Sequence, residues 1–247
     1  MNKIKLIVDS TVDLTPELYK EYDMHVVPLS VNFGEDNYKD GETITRDELY
    51  ARVKKDKMLP STAAVSPQTF EEIFRKYLAE GYEIIYVGIG STLSTCFQSA
   101  FIAKNAIDSD KIYLVDSKNL SSASGLLALK AGKMIKEGKS AKEIAEAMEK
   151  AVPNVVAQFS VETLDYLHKG GRCSGTAKVI GHLFHVHPHL LVRDGKLAEP
   201  LALITIAGNL LEMFGNIKYI ASNSKFVLQT STMCPSIMIK KMAVTGK

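Results

Sequence analysis

Short apolar runs alternate with helix-like segments over the first 150 residues of the chain. Strand character is predicted at residues 4–8, 24–33, 83–89 and 111–115, with Pro28 interrupting the second run. The first, third and fourth runs end at polar, hydroxyl-bearing residues and lead into helical patterns. Strand, loop and helix in this order are typical of βαβ units, so the sequence predicts a parallel sheet covered by helices.

Helix starts are marked by N-capping residues, which stand before a proline or open a capping box: Thr15, Thr45, Ser66 and Ser140. The helix from Thr15 is expected to end near Tyr22, and further helices are predicted at about 97–107 and 122–136. After Ser66, apolar residues at helical spacing predict one packed face: Phe70, Ile73, Phe74, Tyr77 and Leu78.

The pattern changes near Pro153. A strand is predicted at residues 154–161, and two more within 190–204 around Asp194-Gly195, a strong hairpin signal. The sequence therefore predicts an α/β protein with two domains. Residues 1–155 would form a parallel α/β sheet domain and residues 156–247 an α+β domain.

Composition narrows the class of protein. The 247 residues carry a formal net charge of only +2, and no run rich in lysine or arginine suggests nucleic-acid binding. No signal peptide or membrane-spanning segment is evident, so we expect a cytoplasmic protein with at most transient membrane contact. Cys96, Cys173 and Cys234 are odd in number and widely spaced, which favours reduced thiols.

Four hydroxyl-rich loops are predicted at the carboxyl ends of strands, where open parallel sheets bind ligands: residues 9–11, 60–64, 90–95 and 116–122. Hydroxyls and the N–H groups of helix N-termini bind carboxylate or phosphate without a metal. Together the loops predict an oxyanion-binding pocket. For any one loop, simple N-capping of the next helix explains the same residues.

The segment Gly170-Gly171-Arg172 is a further candidate for binding chemistry. Gly170-Gly171-Arg172 places a fixed cation on a flexible backbone, which suits either an anion site or a turn whose arginine pairs with a surface carboxylate. No Gly-x-x-x-x-Gly-Lys-Ser/Thr loop or Gly-x-Ser-x-Gly elbow occurs, so the chain has no kinase or serine hydrolase motif of its own.

Four histidines between His182 and His189 are the best metal candidates. Alternation at His185, His187 and His189 would put three imidazoles on one face of a strand, and a metal-dependent enzyme built on this cluster is the alternative function. Pro188 breaks such a strand, and no carboxylate or cysteine lies nearby. A lining or surface role for these histidines is therefore the other interpretation.

An ordered series of motifs resembles the DegV family of bacterial fatty-acid-binding proteins over about residues 1–200. The motifs are residues 9–14, Ser61-Thr62 before Ser66-Pro67, Leu93-Ser94 with residues 97–100, Asp116-Ser117, 167–172 and 194–196. The resemblance implies a two-domain α/β protein that encloses one long-chain fatty acid between its domains. It also implies a carrier without cofactor or catalytic activity, which presents the acyl carboxylate to a separate ATP-binding fatty acid kinase subunit. By the same resemblance, the acyl-phosphate formed there would serve phospholipid synthesis.

The same resemblance assigns residues. Thr62 and Ser91 resemble the residues that bind the ligand's carboxylate in the family, and Ser94 lies in the same loop as Ser91. Arg172 belongs to a Gly-Gly-Arg motif at the pocket or partner surface. Residues 93–96 read Leu-Ser-Thr-Cys, where the family commonly has Leu-Ser-Gly-Thr. After about residue 200 no family motif is found and no histidine follows His189, so the carboxyl-terminal part of the second domain is expected to be divergent or shortened.

Overall fold

The computed structural model describes residues 3–161, 165–171, 189–193, 195–197, 204–206, 217–220, 237–239 and 244–246. The chain divides into two compact units, Met1–Glu199 and Pro200–Lys247. The domain boundary predicted between residues 155 and 156 falls within the first unit and stays a prediction. The cleft, the parallel sheet and the sheets formed by β3 to β5 and β8 to β10 all belong to the first unit.

The strands of the first unit are β1 (Lys3–Asp9), β2 (Met24–Val27), β3 (Ser30–Phe33), β4 (Asp36–Lys39), β5 (Ser61–Ala63), β6 (Tyr82–Gly88), β7 (Ile112–Asp116), β8 (Ala157–Ser160), β9 (His189–Arg193) and β10 (Lys196–Leu197). Its helices are α1 (Pro16–Glu21), α2 (Arg46–Asp56), α3 (Pro67–Ala79), α4 (Cys96–Ile107), α5 (Ser121–Lys136), α6 (Ala141–Ala151) and α7 (Asp165–Lys169). The expected strand, loop and helix order is confirmed through β7 and α5.

A parallel sheet in the order β2-β1-β6-β7 forms the centre of the first unit. Val8 pairs with Val87, and Gly88 pairs with Asp116, so the carboxyl ends of β1, β6 and β7 lie side by side. Polar loops that follow these strands are thereby brought to one edge of the sheet. The α/β class and the parallel sheet predicted from the sequence are both confirmed.

Alternating side chains of the parallel sheet pack in two separate hydrophobic cores, one on each face. Leu6, Val8, Ile85 and Val87 pack with residues of α5 and α6 on one face, whereas residues such as Ile7 and Ile84 pack with α3 and α4 on the other. The stripe predicted on α3 is confirmed, because three of its members are buried and two are partly buried: Phe70, Phe74 and Tyr77, then Ile73 and Leu78. Each large buried side chain contributes roughly 1.5–3 kcal/mol of transfer free energy.

The predicted capping residues lie at the helix starts. Capping boxes are present at Thr45 with Glu48 and at Ser140 with Glu143. Ser66 accepts the N–H of Thr69 at the start of α3, whereas Thr15 precedes α1 without a side-chain capping bond.

A separate, small antiparallel sheet has the order β4-β3-β5. The apolar run at 24–33 is split at Pro28 into β2 and β3, because proline supplies no N–H to a ladder and the chain changes sheets there. The expectation that residues 60–64 form a loop after a parallel strand is wrong. Ser61–Ala63 is itself a strand, with Thr62 paired to Val31 of β3.

The hairpin predicted around Asp194-Gly195 is confirmed. β9 and β10 pair antiparallel, and Gly195 takes a φ of 75°, the conformation for which glycine is suited. β8 pairs with the other side of β9.

In the second unit, β11 (Ile204–Ile206) pairs with β14 (Val244–Gly246), and β12 (Ile217–Ile220) pairs with β13 (Ile237–Ile239). Among the described segments, no helix has the length and apolarity needed to cross a membrane.

Candidate functional site

An open cleft of about 490 Å³ lies where the loop between β6 and α4 meets β5 and the β9-β10 turn. Hydroxyl-bearing, small and leucine residues line it: Leu29, Thr62, Ala64, Ser91, Thr92, Leu93, Ser94, Thr95, Gly171 and Gly195. Within the described part of the chain, no lining residue has an ionisable side chain. The structure thus brings Thr62, Ser91 and Ser94 together, as expected for a shared site.

The first residues of the cleft loop are held by Asp9, at the end of β1. This carboxylate is fully buried, and its Oδ2 accepts the N–H of Ile89 and the hydroxyl of Tyr86, each over 2.9 Å. Its Oδ1 accepts both the N–H and the hydroxyl of Thr11. A buried carboxylate with this many donors is well compensated for its lost hydration, and it fixes where the loop begins.

Asp116, at the end of β7, holds the same loop from the opposite side. Its Oδ1 accepts the N–H of Ser91 over 3.0 Å and that of Lys118 over 3.1 Å. Its Oδ2 accepts the hydroxyl proton of Ser91 over 2.6 Å. The parallel register explains this arrangement, because Asp9 and Asp116 lie on the two strands that flank β6.

Gly90 allows the loop to approach the turn after β7 closely. Its N–H donates to the carbonyl of Asn119 over 2.7 Å. A Cβ at this position would lie 2.8 Å from the Cα of Lys118 and 2.9 Å from the backbone nitrogen of Asn119, closer than a Cβ approaches non-bonded atoms. The position therefore requires glycine because of close backbone packing.

Ser94 lies at the point where the loop turns into α4. Its hydroxyl oxygen accepts the N–H of Cys96 over 3.3 Å, a local turn bond just before α4, whose N-cap residue is Thr95 and makes no side-chain capping bond. α4 begins next to the cleft, and its first turn adds a partial positive charge on that side. Burial raises the pKa of the Cys96 thiol, which keeps it neutral near physiological pH.

Thr62 lies on the opposite wall of the cleft, on the exposed strand β5. Its neighbour Ser61 does not line the cleft, since successive side chains of a strand point to opposite faces.

The β9-β10 turn closes a third side. The Thr92 hydroxyl donates to the carbonyl oxygen of Gly195, and a Cβ on Gly195 would collide with that hydroxyl. The sequence placed Thr92 in the predicted loop at 90–95, but Gly195 and Leu29 were missed as lining residues. The Asp194-Gly195 hairpin signal was present, but nothing local indicated where the turn would pack.

The four predicted hydroxyl loops divide into two groups. Residues of 60–64 and 90–95 line the cleft, whereas none from 9–11 or 116–122 does so. Ser10 accepts the N–H of Leu29 over 3.2 Å, and Ser117 bonds Ser124 over 3.1 Å, so these hydroxyls stabilise the framework behind the cleft. The expectation that the hydroxyls of these two loops line the pocket is therefore wrong, and Asp116 reaches it only through Ser91.

Other predicted residues fall outside the described part of the chain. Arg172 does so, although Gly171, which precedes it, lines the cleft with a φ of 74°. His182, His185 and His187 also lie outside, and for His189 only the backbone is described. Within the described residues, no group of three or more His, Cys, Asp or Glu side chains is placed to hold a metal ion.

Comparison with known proteins gives one consistent family. A family model described as uncharacterised protein, DegV family, matches residues 3–225. A DegV domain-containing protein of Clostridium acetobutylicum is 39% identical over 198 residues, which are 80% of this chain and 71% of that protein. A second, from Clostridium perfringens, is 36% identical over 197 residues, covering 80% and 71%.

Solved structures agree with this relationship. A DegV family protein from Thermus thermophilus, described by its fatty acid binding, has a TM-score of 0.72 at 31% identity, covering 80% of this chain and 70% of that one. A stearic-acid-binding protein from Eubacterium ventriosum has a TM-score of 0.73 at 30% identity, covering 79% and 69%. With sequence, fold order and the positions of the motifs in accord, the chain belongs to the DegV family.

Proposed function

We propose that this protein binds a long-chain fatty acid with its carboxyl group in the cleft between β5 and the loop that precedes α4. The observation that carries the proposal is the lining, in which hydroxyls of Thr62, Thr92 and Ser94 stand beside Leu29 and Leu93. Such a surface suits a polar head attached to an apolar chain. The relatives from Thermus thermophilus and Eubacterium ventriosum, described by fatty acid and stearic acid binding, support it.

The energetics favour an acyl ligand over a small polar anion. Each methylene that leaves water contributes about 0.8 kcal/mol, so a long alkyl chain supplies most of the affinity while the hydroxyls orient the head. We propose Thr62, Ser91, Ser94 and Arg172 as the residues that hold or orient the carboxyl group. A metal-dependent enzyme has no comparable support from the relatives named above.

The further step is delivery. We propose that the protein is a carrier without catalytic activity of its own, which presents the bound carboxyl group to a separate ATP-dependent fatty acid kinase subunit in the cytoplasm. The cleft is open on one side, which fits transfer of the head group to a partner's active site. Acyl-phosphate made there would enter phospholipid synthesis.

One experiment tests ligand class directly. The purified protein is denatured and extracted, and the extract is analysed by mass spectrometry for lipid and by elemental analysis for metal. We expect about one fatty acid per chain and no stoichiometric metal. Stoichiometric metal without lipid, together with failure to bind added fatty acid, would overturn the proposal. For the delivery step, acyl-phosphate should form only when a fatty acid kinase subunit and ATP are both added.

A further inference from the structure

The hydroxyl of Ser91 does not offer a proton to the cleft. It donates that proton to Oδ2 of Asp116 over 2.6 Å, and the Ser91 N–H donates to Oδ1 of the same carboxylate. An ionised carboxylate can only accept hydrogen bonds, and a serine hydroxyl has a single proton. What Ser91 presents to a ligand is therefore a pair of acceptor lone pairs.

An ionised ligand carboxylate facing Ser91 would also bring only lone pairs. A hydrogen bond between the ligand and Ser91 and another between Ser91 and Asp116 need two protons. Two ionised carboxylates and one hydroxyl group together carry only one, so one further proton is required. With that proton, the hydrogen bonds run either from a ligand O–H through Ser91 to Asp116, or from a protonated Asp116 through Ser91 to the ligand. Two carboxyl groups held close together commonly share one proton in this way.

We propose that the cleft takes up one proton with each fatty acid, shared through Ser91 between the ligand's carboxyl group and Asp116. This inference rests on the proposed function. The proton comes from solvent and no covalent bond changes. The two carboxyl groups together keep a single negative charge, which the N–H groups of Ser91 and Lys118 and the first turn of α4 stabilise.

The charges around this pair favour uptake of a proton over a second anion. From β1, the buried carboxylate of Asp9 adds a negative charge behind the loop. From β6 and α4, Tyr86 and Cys96 are neutral groups, since burial raises the pKa of each. Lys118 carries a positive charge but is exposed, as Ser91 is, so solvent screens the charges on this side of the loop. Arg172 follows the lining residue Gly171 in the sequence, and the test below takes account of it.

The test measures proton uptake with two matched probes. Tetradecanoic acid and 1-tetradecanol have the same chain, but only the acid ionises, and the alcohol can donate its own proton to Ser91. Titration calorimetry near neutral pH, in two buffers of different ionisation enthalpy, should show about one proton taken up per acid bound and none for the alcohol. Above neutral pH, the affinity for the acid should fall by up to about tenfold per pH unit while that for the alcohol stays constant.

A variant locates the proton. Asp116→Asn can still accept the Ser91 N–H, but its amide donates to the Ser91 oxygen and turns the serine proton towards the ligand. The acid should then bind as an anion, with uptake close to zero. Uptake unchanged in Asp116→Asn would overturn the proposal. The probe measurement on the unaltered protein stands even if this variant does not fold.

Two other outcomes are decisive. Binding of tetradecanoic acid to the unaltered protein without proton uptake is what a direct pairing with Arg172 predicts, and it would overturn this inference while leaving the proposed function intact. Absence of binding by both probes would overturn the two together.

Discussion

The Tyr86 hydroxyl donates a hydrogen bond to Oδ2 of Asp9 over 2.9 Å, and neither side chain is exposed to solvent. Tyr86→Phe removes the donor and leaves a buried carboxylate with one partner fewer. We expect the free energy of unfolding to fall by about 1.5–3 kcal/mol, as for other hydrogen bonds to charged groups. Urea denaturation of the variant and the unaltered protein measures this difference in the free energy of unfolding.

Tyr50→Phe serves as the matched control, because Tyr50 is 64% exposed and should tolerate the same change. Equal midpoints for the two variants would show that the Tyr86–Asp9 bond contributes nothing net to stability.

Thr62→Ala should weaken fatty-acid binding by roughly 1–3 kcal/mol, because a polar ligand group loses its hydrogen-bonding partner in the cleft. Displacement of a fluorescent fatty acid gives the dissociation constant. Ser61→Ala on the same strand is the control, since Ser61 does not line the cleft. Comparable affinity for both variants would remove Thr62 from the site.

Arg172→Ala is expected to leave fatty-acid affinity within about tenfold, about 1.4 kcal/mol, because burial of methylenes supplies most of the binding free energy. Acyl-phosphate formation with a kinase subunit should fall much further, since a planar guanidinium suits orientation and partner contact. The two assays are run on the same preparation. Equal losses in both would make Arg172 a direct ligand of the carboxyl group.

Thr92→Val removes the hydroxyl that binds the Gly195 carbonyl but keeps the side-chain shape. With one hydrogen bond lost between the cleft loop and the β9-β10 turn, we expect the ligand to leave faster. A loss of about 1 kcal/mol corresponds to about fivefold in the dissociation rate, which stopped-flow displacement resolves. Thr92→Ser retains the hydroxyl and should release the ligand at the original rate. Faster release from Thr92→Ser would assign the effect to the lost methyl group.

His25 should make stability depend on pH. Burial lowers the pKa of this imidazole below its usual 6.5, with Lys5 and Lys76 adding to the effect, and the ring bonds the Tyr77 hydroxyl over 3.1 Å. As the pH falls below 6.5, the unfolded chain therefore binds more protons than the folded protein at this site. The free energy of unfolding falls in that window and is unaffected above it.

The measurement is urea denaturation at about pH 7.5 and about pH 5.5, on the unaltered protein and on His25→Asn. The variant should lose less stability on acidification than the unaltered protein. An identical loss in both would assign the acid sensitivity to other groups.

Much of the framework follows from local patterns. Apolar runs predicted β1, β6 and β7 because a buried parallel strand has few polar positions. β5 was missed because Ser61–Ala63 contains no large apolar residue and depends on pairing with β3 for its conformation. Recurrent hydroxyl loops predicted a polar site, but which hydroxyl faces a ligand depends on tertiary partners. Asp116 turns the Ser91 proton inward, and no spacing in the sequence signals that bond.

The wall of the cleft that carries Thr62 has its own small core, formed by Val31, Phe33 and Ile44 and separate from the two cores of the parallel sheet. Substitutions within that core, or exchange of the segment from Ser30 to Ala63, which leaves Leu29, Ala64 and Val65 in the core of the parallel sheet, can reshape this wall while the loop held by Asp9 and Asp116 stays in place. Under the proposed function, the wall that carries Thr62 and the loop that carries Ser91 can thus change separately, because they depend on different packing units of the same chain.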